Sequence, residues 1–219
     1  MQAQSLSLHH IIRAPKVTSD QPPVLFMFHG YGSDENDLFS FASELPDELC
    51  IISVRAPYPM QPYGNAWYAI YFDAADGKFS DDKQAVLSRD AIANFIDEAI
   101  TAYNLNSSNV TLLGFSQGTI LSYAVALSYP EKVNNVIALS GYINEAIIAN
   151  GYESKDHTNL NVYCSHGSVD QVIPVDWARK TPDFLSAVGI KTSLQEFPVG
   201  HGVAPQNFYQ LKEWLKEKL

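Results

Sequence analysis

Three residues in this sequence have the types and the setting for nucleophilic catalysis: Ser116, Asp170 and His201. Ser116 is the centre of Gly114-Phe115-Ser116-Gln117-Gly118, a G-x-S-x-G pentapeptide that follows an apolar run and opens a helical pattern. A chain that turns this sharply from strand to helix leaves no room for side chains two positions either side of the serine. The turn holds that serine in a strained conformation with its hydroxyl exposed. The new helix also aims backbone N–H groups at the reacting centre. A chance Gly/Ser turn would share the pentapeptide but not the strand–turn–helix setting.

A serine hydroxyl needs a general base, and the base needs an acid to fix its tautomer and stabilise its charge. In enzymes built on α/β-hydrolase sheets the chain order is Ser, then Asp or Glu, then His. Asp170 sits in His166-Gly167-Ser168-Val169-Asp170, after the run Val162–Cys164, and His201 sits in Gly200-His201-Gly202, after a run ending at Phe197. Both therefore fall in loops after strands, where open α/β sheets bind ligands. The rivals fit less well. Asp176 falls where the next helix begins and Asp183 falls inside it. His157 precedes the acid and breaks the order, and His9 and His10 belong to the opening strand. His166 ends a strand and is expected to shape the Asp loop by hydrogen bonding. A metal held by His29, His166 and His201 has no short ligand spacing to support it, so no metal is expected.

The same chemistry needs donors for the oxyanion. His29-Gly30-Tyr31-Gly32 follows the run Val24–Phe28, and the backbone N–H groups of Tyr31 and Gln117 are the expected pair. Losing one such donor typically costs ~3 kcal/mol of transition-state stabilisation. The acidic residues Asp34, Glu35 and Asp37 that follow are read as helix-capping rather than catalytic. Tyr58, Tyr63, Trp67, Tyr68, Tyr71 and Phe72 form an aromatic stretch that could line a pocket or pack a core. Trp67 and Tyr68 are the candidates for substrate contact.

These residues need a frame, and the apolar runs supply one. Val24–Phe28, Cys50–Val54, Val110–Leu113, Val136–Leu139 and Val162–Cys164 are short and continuous, as strands buried on both faces are. Leu6, Leu8, His10 and Ile12 alternate, which suggests an opening edge strand, and Thr192–Phe197 alternates as a last one. Helical patterns fall between them over Leu38–Glu44, Asp82–Tyr103, Gln117–Tyr129, Val175–Val188 and Pro205–Lys218. Strands alternating with helices predict an α/β fold, a mostly parallel sheet with helices on both faces and no large lid domain. No linker or repeat divides the 219 residues, and residues 1–219 are expected to form a single domain. The stretch Ala56–Tyr71 reads as a loop.

Composition narrows the class. Hydrophobic residues make up 46 % and charged residues 17 %, which excludes a disordered chain. A formal charge of -10 argues against nucleic acid and anionic membrane as partners and fits a small neutral or weakly polar ester. No apolar stretch approaches the ~20 residues of a membrane span. The first twelve residues lack a basic region followed by an apolar run, so integral membrane contact is not expected and the cytoplasm is. Cys50 and Cys164 lie in apolar runs and read as structural thiols. Exposed Phe and Tyr in the loops could support a homodimer.

Taken together, H-G-Y-G-S-D at 29–34, G-F-S-Q-G at 114–118, S-H-G-S-V-D-Q-V-I-P at 165–174 and G-H-G at 200–202 resemble the carboxylesterase/phospholipase family of small α/β-hydrolases, which includes the acyl-protein thioesterases. The resemblance runs from His29 to the last helix. It implies Ser116, Asp170 and His201 as the triad, Tyr31 and Gln117 N–H groups as the oxyanion hole, and no cofactor. Two features depart from the family. Thr119 stands where Gly or Ala is usual, and the family's Trp-Phe-Asp stretch appears as Trp67-Tyr68 with Phe72-Asp73 further on. The expected activity is hydrolysis of short to medium carboxylic esters through an acyl-enzyme. Acyl-protein thioesterase or lysophospholipase activity is the alternative within the class. A catalytically silent ligand-binding module is the alternative outside it, although such modules usually lose a triad member. A peptidase or lipase would use the same triad, but no insertion is present to form a cap.

Overall fold

The structure, a computed structural model, describes residues 1–73 and 77–219, with the backbone alone at 72, 73 and 77–79. Seven strands form the main sheet: β1 (His10–Arg13), β2 (Val24–Phe28), β3 (Cys50–Val54), β8 (Val110–Phe115), β9 (Asn135–Leu139), β10 (Asn161–Gly167) and β11 (Leu194–Phe197), in the order β1-β3-β2-β8-β9-β10-β11. All neighbours are parallel except the edge pair β1 and β3. The chain builds outward from β2 to β3 and then returns to place β8 on the other side of β2. That reversal is a topological switch point, where the carboxyl ends of adjacent strands open a crevice.

The buried runs are continuous because both faces of each strand are covered. In β2, Val24, Phe26 and Phe28 pack into one layer with α2 (Asp82–Tyr103) and α3 (Gln117–Ser128). Leu25 and Met27 pack into the other, against α1 (Asn36–Phe39) and α6 (Pro205–Lys216). Each fully buried Leu or Phe contributes about 1.5–3 kcal/mol. Every residue of α3 is buried, so it carries no polar stripe. Helix α2 starts where the Asp81 carboxylate accepts from Gln84 N–H and ends at Asn104 in the left-handed conformation.

Four elements differ from the sequence expectation. The opening strand is only His10–Arg13, because the chain before it docks on α2: Gln4 N–H donates to the Tyr103 hydroxyl and Ser7 N–H to Glu98. The helix expected over Leu38–Glu44 is a turn of α1 followed by a 3₁₀ turn at Ala42–Glu44. The helix expected over Val175–Val188 breaks into α4 (Val175–Ala178) and α5 (Thr181–Ala187). Pro182 is tolerated in the first turn of α5 but would clash with the carbonyl four residues back in a continuous helix. The stretch after Ala56 is not all loop. It forms two small antiparallel pairs, β4 (Tyr58–Pro59) with β5 (Asn65–Ala66) and β6 (Ile70–Asp73) with β7 (Gly77–Ser80).

Candidate active site

Strand register brings the candidate residues together in pairs. Phe28 of β2 is level with Gly114 of β8, so the loops that continue these strands, 29–33 and 115–117, emerge side by side. On the other flank Gly167 of β10 is level with Phe197 of β11. Ser168 N–H to Phe197 O (2.7 Å) and Val169 N–H to Val199 O (3.3 Å) prolong that pairing into the loops. Asp170 and His201 are therefore carried to the same place, and His201 Nδ1 lies 2.7 Å from Asp170 Oδ2.

Ser116 has φ 54° and ψ −115°, an uncommon conformation for a residue with a Cβ. The glycines either side explain why the chain accepts it. A Cβ on Gly114 would stand 2.5 Å from the Gly118 backbone, and one on Gly118 would stand 1.9 Å from Phe28 O. The strain is locked by Ser116 N–H to Leu139 O (2.9 Å). The buried Thr119 hydroxyl adds to the lock, within 2.6 Å of Gly114 O and 2.7 Å of Leu139 O. Thr119 thus ties the ends of β8 and β9 across the turn. Gln117 opens α3, and its N–H is among those with no acceptor inside the helix.

Asp170 is buried and receives four donors or near-donors. Val172 and Ile173 N–H groups donate to Oδ1, while Oδ2 faces His201 and the His166 ring at 3.2 Å. Burial opposes its charge, but the hydrogen bonds from His201, Ile173 and Val172 outweigh that and hold its carboxyl below the usual range. His166 Nε2 also lies 2.8 Å from Ile173 O. A carbonyl only accepts, so Nε2 carries the proton and His166 braces the Asp loop, as expected from the sequence. By the same logic the Asp170 contact places a proton on His201 Nδ1, so in the neutral ring Nε2 is the acceptor.

His29 behaves differently. Its Nδ1 lies 2.7 Å from Gly30 O and its Nε2 accepts from Ala56 N–H at 3.0 Å. Burial pushes its pKa down, so it is a neutral brace. The expected capping by the acidic segment is not what Glu35 and Asp37 do: Glu35 stands at the N-cap of α1 but pairs with Arg55 instead, Asp37 accepts from the Ser33 hydroxyl and borders the cavity, and Asp34 accepts from Asn36 N–H. Both cysteines are free and buried. Among the described residues no group of three or more His, Cys, Asp or Glu side chains is placed to hold a metal.

Ser116, Gln117, Tyr31 and His201 all border one cavity of about 530 Å³, and the Phe115 ring packs 4.9 Å from the His201 ring. Tyr68 lines it. Trp67 does not: it is fully buried, donates from Nε1 to His29 O (2.9 Å) and packs edge-on against Phe28. The Phe72 side chain lies outside the described residues. The remaining walls include Ile70, Ile120, Tyr142, Ile173 and Trp177, together with Asp82. Sequence reasoning did not single these out. Tyr142 follows the end of β9 and Ile173 follows Asp170, so strand-end position was the available signal.

A mostly parallel sheet of this order, with a strained serine after β8 and a buried Asp–His contact after β10 and β11, defines the chain as an α/β-hydrolase. It belongs to the phospholipase/carboxylesterase family, whose model matches residues 9–219. It is similar to a putative hydrolase, MhqD, of Bacillus subtilis, 24 % identical over 93 % of this chain and 96 % of that one. It also resembles an acyl-protein thioesterase 1 of Candida albicans, 27 % identical over 88 % of this chain and 89 % of that one. Among solved structures, esterase PE8 superposes with a TM-score of 0.84 at 24 % identity over 98 % of this chain and all of the other. A Bacillus cereus carboxylesterase gives 0.82 at 19 % identity over 97 % and 95 %. Among the described residues no helix is long and apolar enough to cross a membrane.

Proposed function

We propose that the protein hydrolyses carboxylic esters of short to medium acyl chains, with Ser116, Asp170 and His201 as its triad. The observation that carries this reading is the 2.7 Å Asp170–His201 contact in the cavity that also holds the strained Ser116. His201 Nε2 takes the Ser116 hydroxyl proton as Oγ bonds to the ester carbonyl carbon. Tyr31 and Gln117 N–H groups stabilise the oxyanion. The intermediate collapses, the C–O bond to the alcohol breaks, and His201 returns the proton to that oxygen. Water then attacks the acyl-enzyme, giving its proton to His201. The Ser116 ester bond breaks, the acid leaves and Oγ recovers its proton. No metal or cofactor enters these steps.

A second reading, thioester hydrolysis, is favoured by the likeness to an acyl-protein thioesterase. The same atoms would serve with a thiol as the leaving group. The test is hydrolysis of p-nitrophenyl esters of increasing acyl length and matched thioesters, by the wild type and by Ser116→Ala. Turnover by the wild type alone, with a burst of nitrophenol, supports the reading. A folded wild type inert to every ester and to a fluorophosphonate probe overturns it in favour of a ligand-binding module.

A further inference from the structure

Among the described residues, the carboxylates that line the cavity beside Ser116 face no fixed positive charge. Asp82 and Asp37 both line it, and no Lys or Arg does among the described residues. Asp82 Oδ1 accepts from the Ser80 hydroxyl (3.0 Å) and from Asn144 Nδ2 (3.1 Å), so its carboxylate is held in place. No ion pair to Asp82 occurs among the described residues, whereas Glu35 and Asp97 have theirs. Asp82 also stands among aromatic rings. Tyr68, Tyr142, Trp177 and Phe115 border the same space, and the Tyr142 and Trp177 rings meet edge to face at 5.0 Å. Burial first, and then the Asp82 charge, push the Tyr142 hydroxyl's pKa up. For Tyr68, burial, Tyr142 and Asp82 do the same. Both hydroxyls therefore stay protonated and add no charge to that of the carboxylate.

An oriented carboxylate and aromatic rings are the ingredients that recognise an organic cation. The carboxylate supplies Coulomb attraction and the rings supply their negative faces. We propose that this cavity selects esters bearing an ammonium or other organic cation, and that Asp82 is the residue that selects them. This rests on the ester-hydrolase reading above and names its substrate class. Anionic esters are disfavoured by the same two carboxylates, and neutral ones fall between.

The test compares butyryl thioesters of three thiols of similar size: 2-(trimethylammonio)ethanethiol, 3,3-dimethylbutanethiol and 2-sulfoethanethiol. A second series places the same charges on the acyl chain of phenyl esters: 5-(trimethylammonio)pentanoate, 6,6-dimethylheptanoate and the adipate monoanion. In at least one series kcat/KM should fall from cation to neutral to anion by about tenfold per step. Asp82→Asn should bring the cation-to-neutral ratio to near one. Asp183→Asn, the same charge change at an exposed position on α5, should leave the ratio as in the wild type. Equal rates across both series, an anion preference, or a ratio unmoved by Asp82→Asn overturns the proposal while the neutral esters still report serine hydrolysis. If the wild type turns over none of the six but still hydrolyses p-nitrophenyl esters, this inference fails alone; if it is inert to those esters and to a fluorophosphonate probe as well, the hydrolase reading fails with it.

Discussion

At Ser116 the backbone has no slack, whereas residues 67–69, which set Tyr68 in the cavity wall, are held by side chains reaching across from the helices. The turn is fixed by close approach: the spaces beside Gly114 and Gly118 are already filled by backbone atoms. The wall is fixed by hydrogen bonds. Gln117 Oε1 accepts from Trp67 N–H and its Nε2 donates to Tyr68 O, while Ser88 donates to Trp67 O and Gln84 accepts from Ala69 N–H. A region set by excluded volume should fail abruptly when altered. A region set by a few replaceable bonds should loosen by degrees.

The largest expected effect lies with the strand-end loops. Asp170→Asn keeps the shape but offers an amide N–H where Oδ2 accepts, so His201 loses its partner for Nδ1–H. We expect kcat to fall about 10⁴-fold, with much less change in KM. Stopped assays on the purified variant would check it, and a loss under tenfold would remove Asp170 from the role assigned to it. Next comes Gly118→Ala. Its Cβ would meet Phe28 O, and both atoms belong to packed backbone. Destabilisation of about 3 kcal/mol or more, with loss of activity, is expected in urea unfolding. A variant as stable as the wild type would show that the turn has slack after all.

The two regions also differ in what could be read before the fold was known. The G-x-S-x-G turn was legible because steric need writes itself into local sequence, as glycine two positions either side of Ser116. The five buried runs were legible because burial on both faces demands continuous apolar residues. Asp170 and His201 followed from chain order and strand-end position. The wall was illegible because its partners are remote. Nothing near Trp67 says that Gln117, fifty positions on, accepts from its N–H. An aromatic residue reads alike whether it lines a cavity, as Tyr68 does, or plugs the core beneath it, as Trp67 does. The break between α4 and α5 was written in Pro182 and could have been read there.

Acid sharpens the contrast because it acts on one loop group of known sign. Asp170 is held below the ordinary carboxylate range, so the folded state binds its proton less readily than the unfolded chain. That stabilisation is fully present above the unfolded value of about 4 and is lost as pH falls through the lower folded value. The stability gap between wild type and Asp170→Asn should be constant above about pH 5 and narrow below it. Urea midpoints from pH 7 to pH 3 measure the gap. A gap unchanged at pH 3 would mean that packing, not ionisation, makes Asp170 matter.

The wall should respond more gently, and its two anchors should be separable. Gln117→Leu removes the bonds to Trp67 N–H and Tyr68 O, leaving buried groups unpaired at about 1–3 kcal/mol each. Tyr68 lines the cavity, so KM for esters should rise with this loss of stability. Ser88→Ala is the smaller change. It removes one donor to Trp67 O, at about 1 kcal/mol, and Trp67 lies behind the wall rather than in it. Stability should fall slightly while KM stays as in the wild type. If Ser88→Ala raises KM as much as Gln117→Leu does, the wall moves as one body from Trp67 to Tyr68, and the buried indole counts as part of the binding surface.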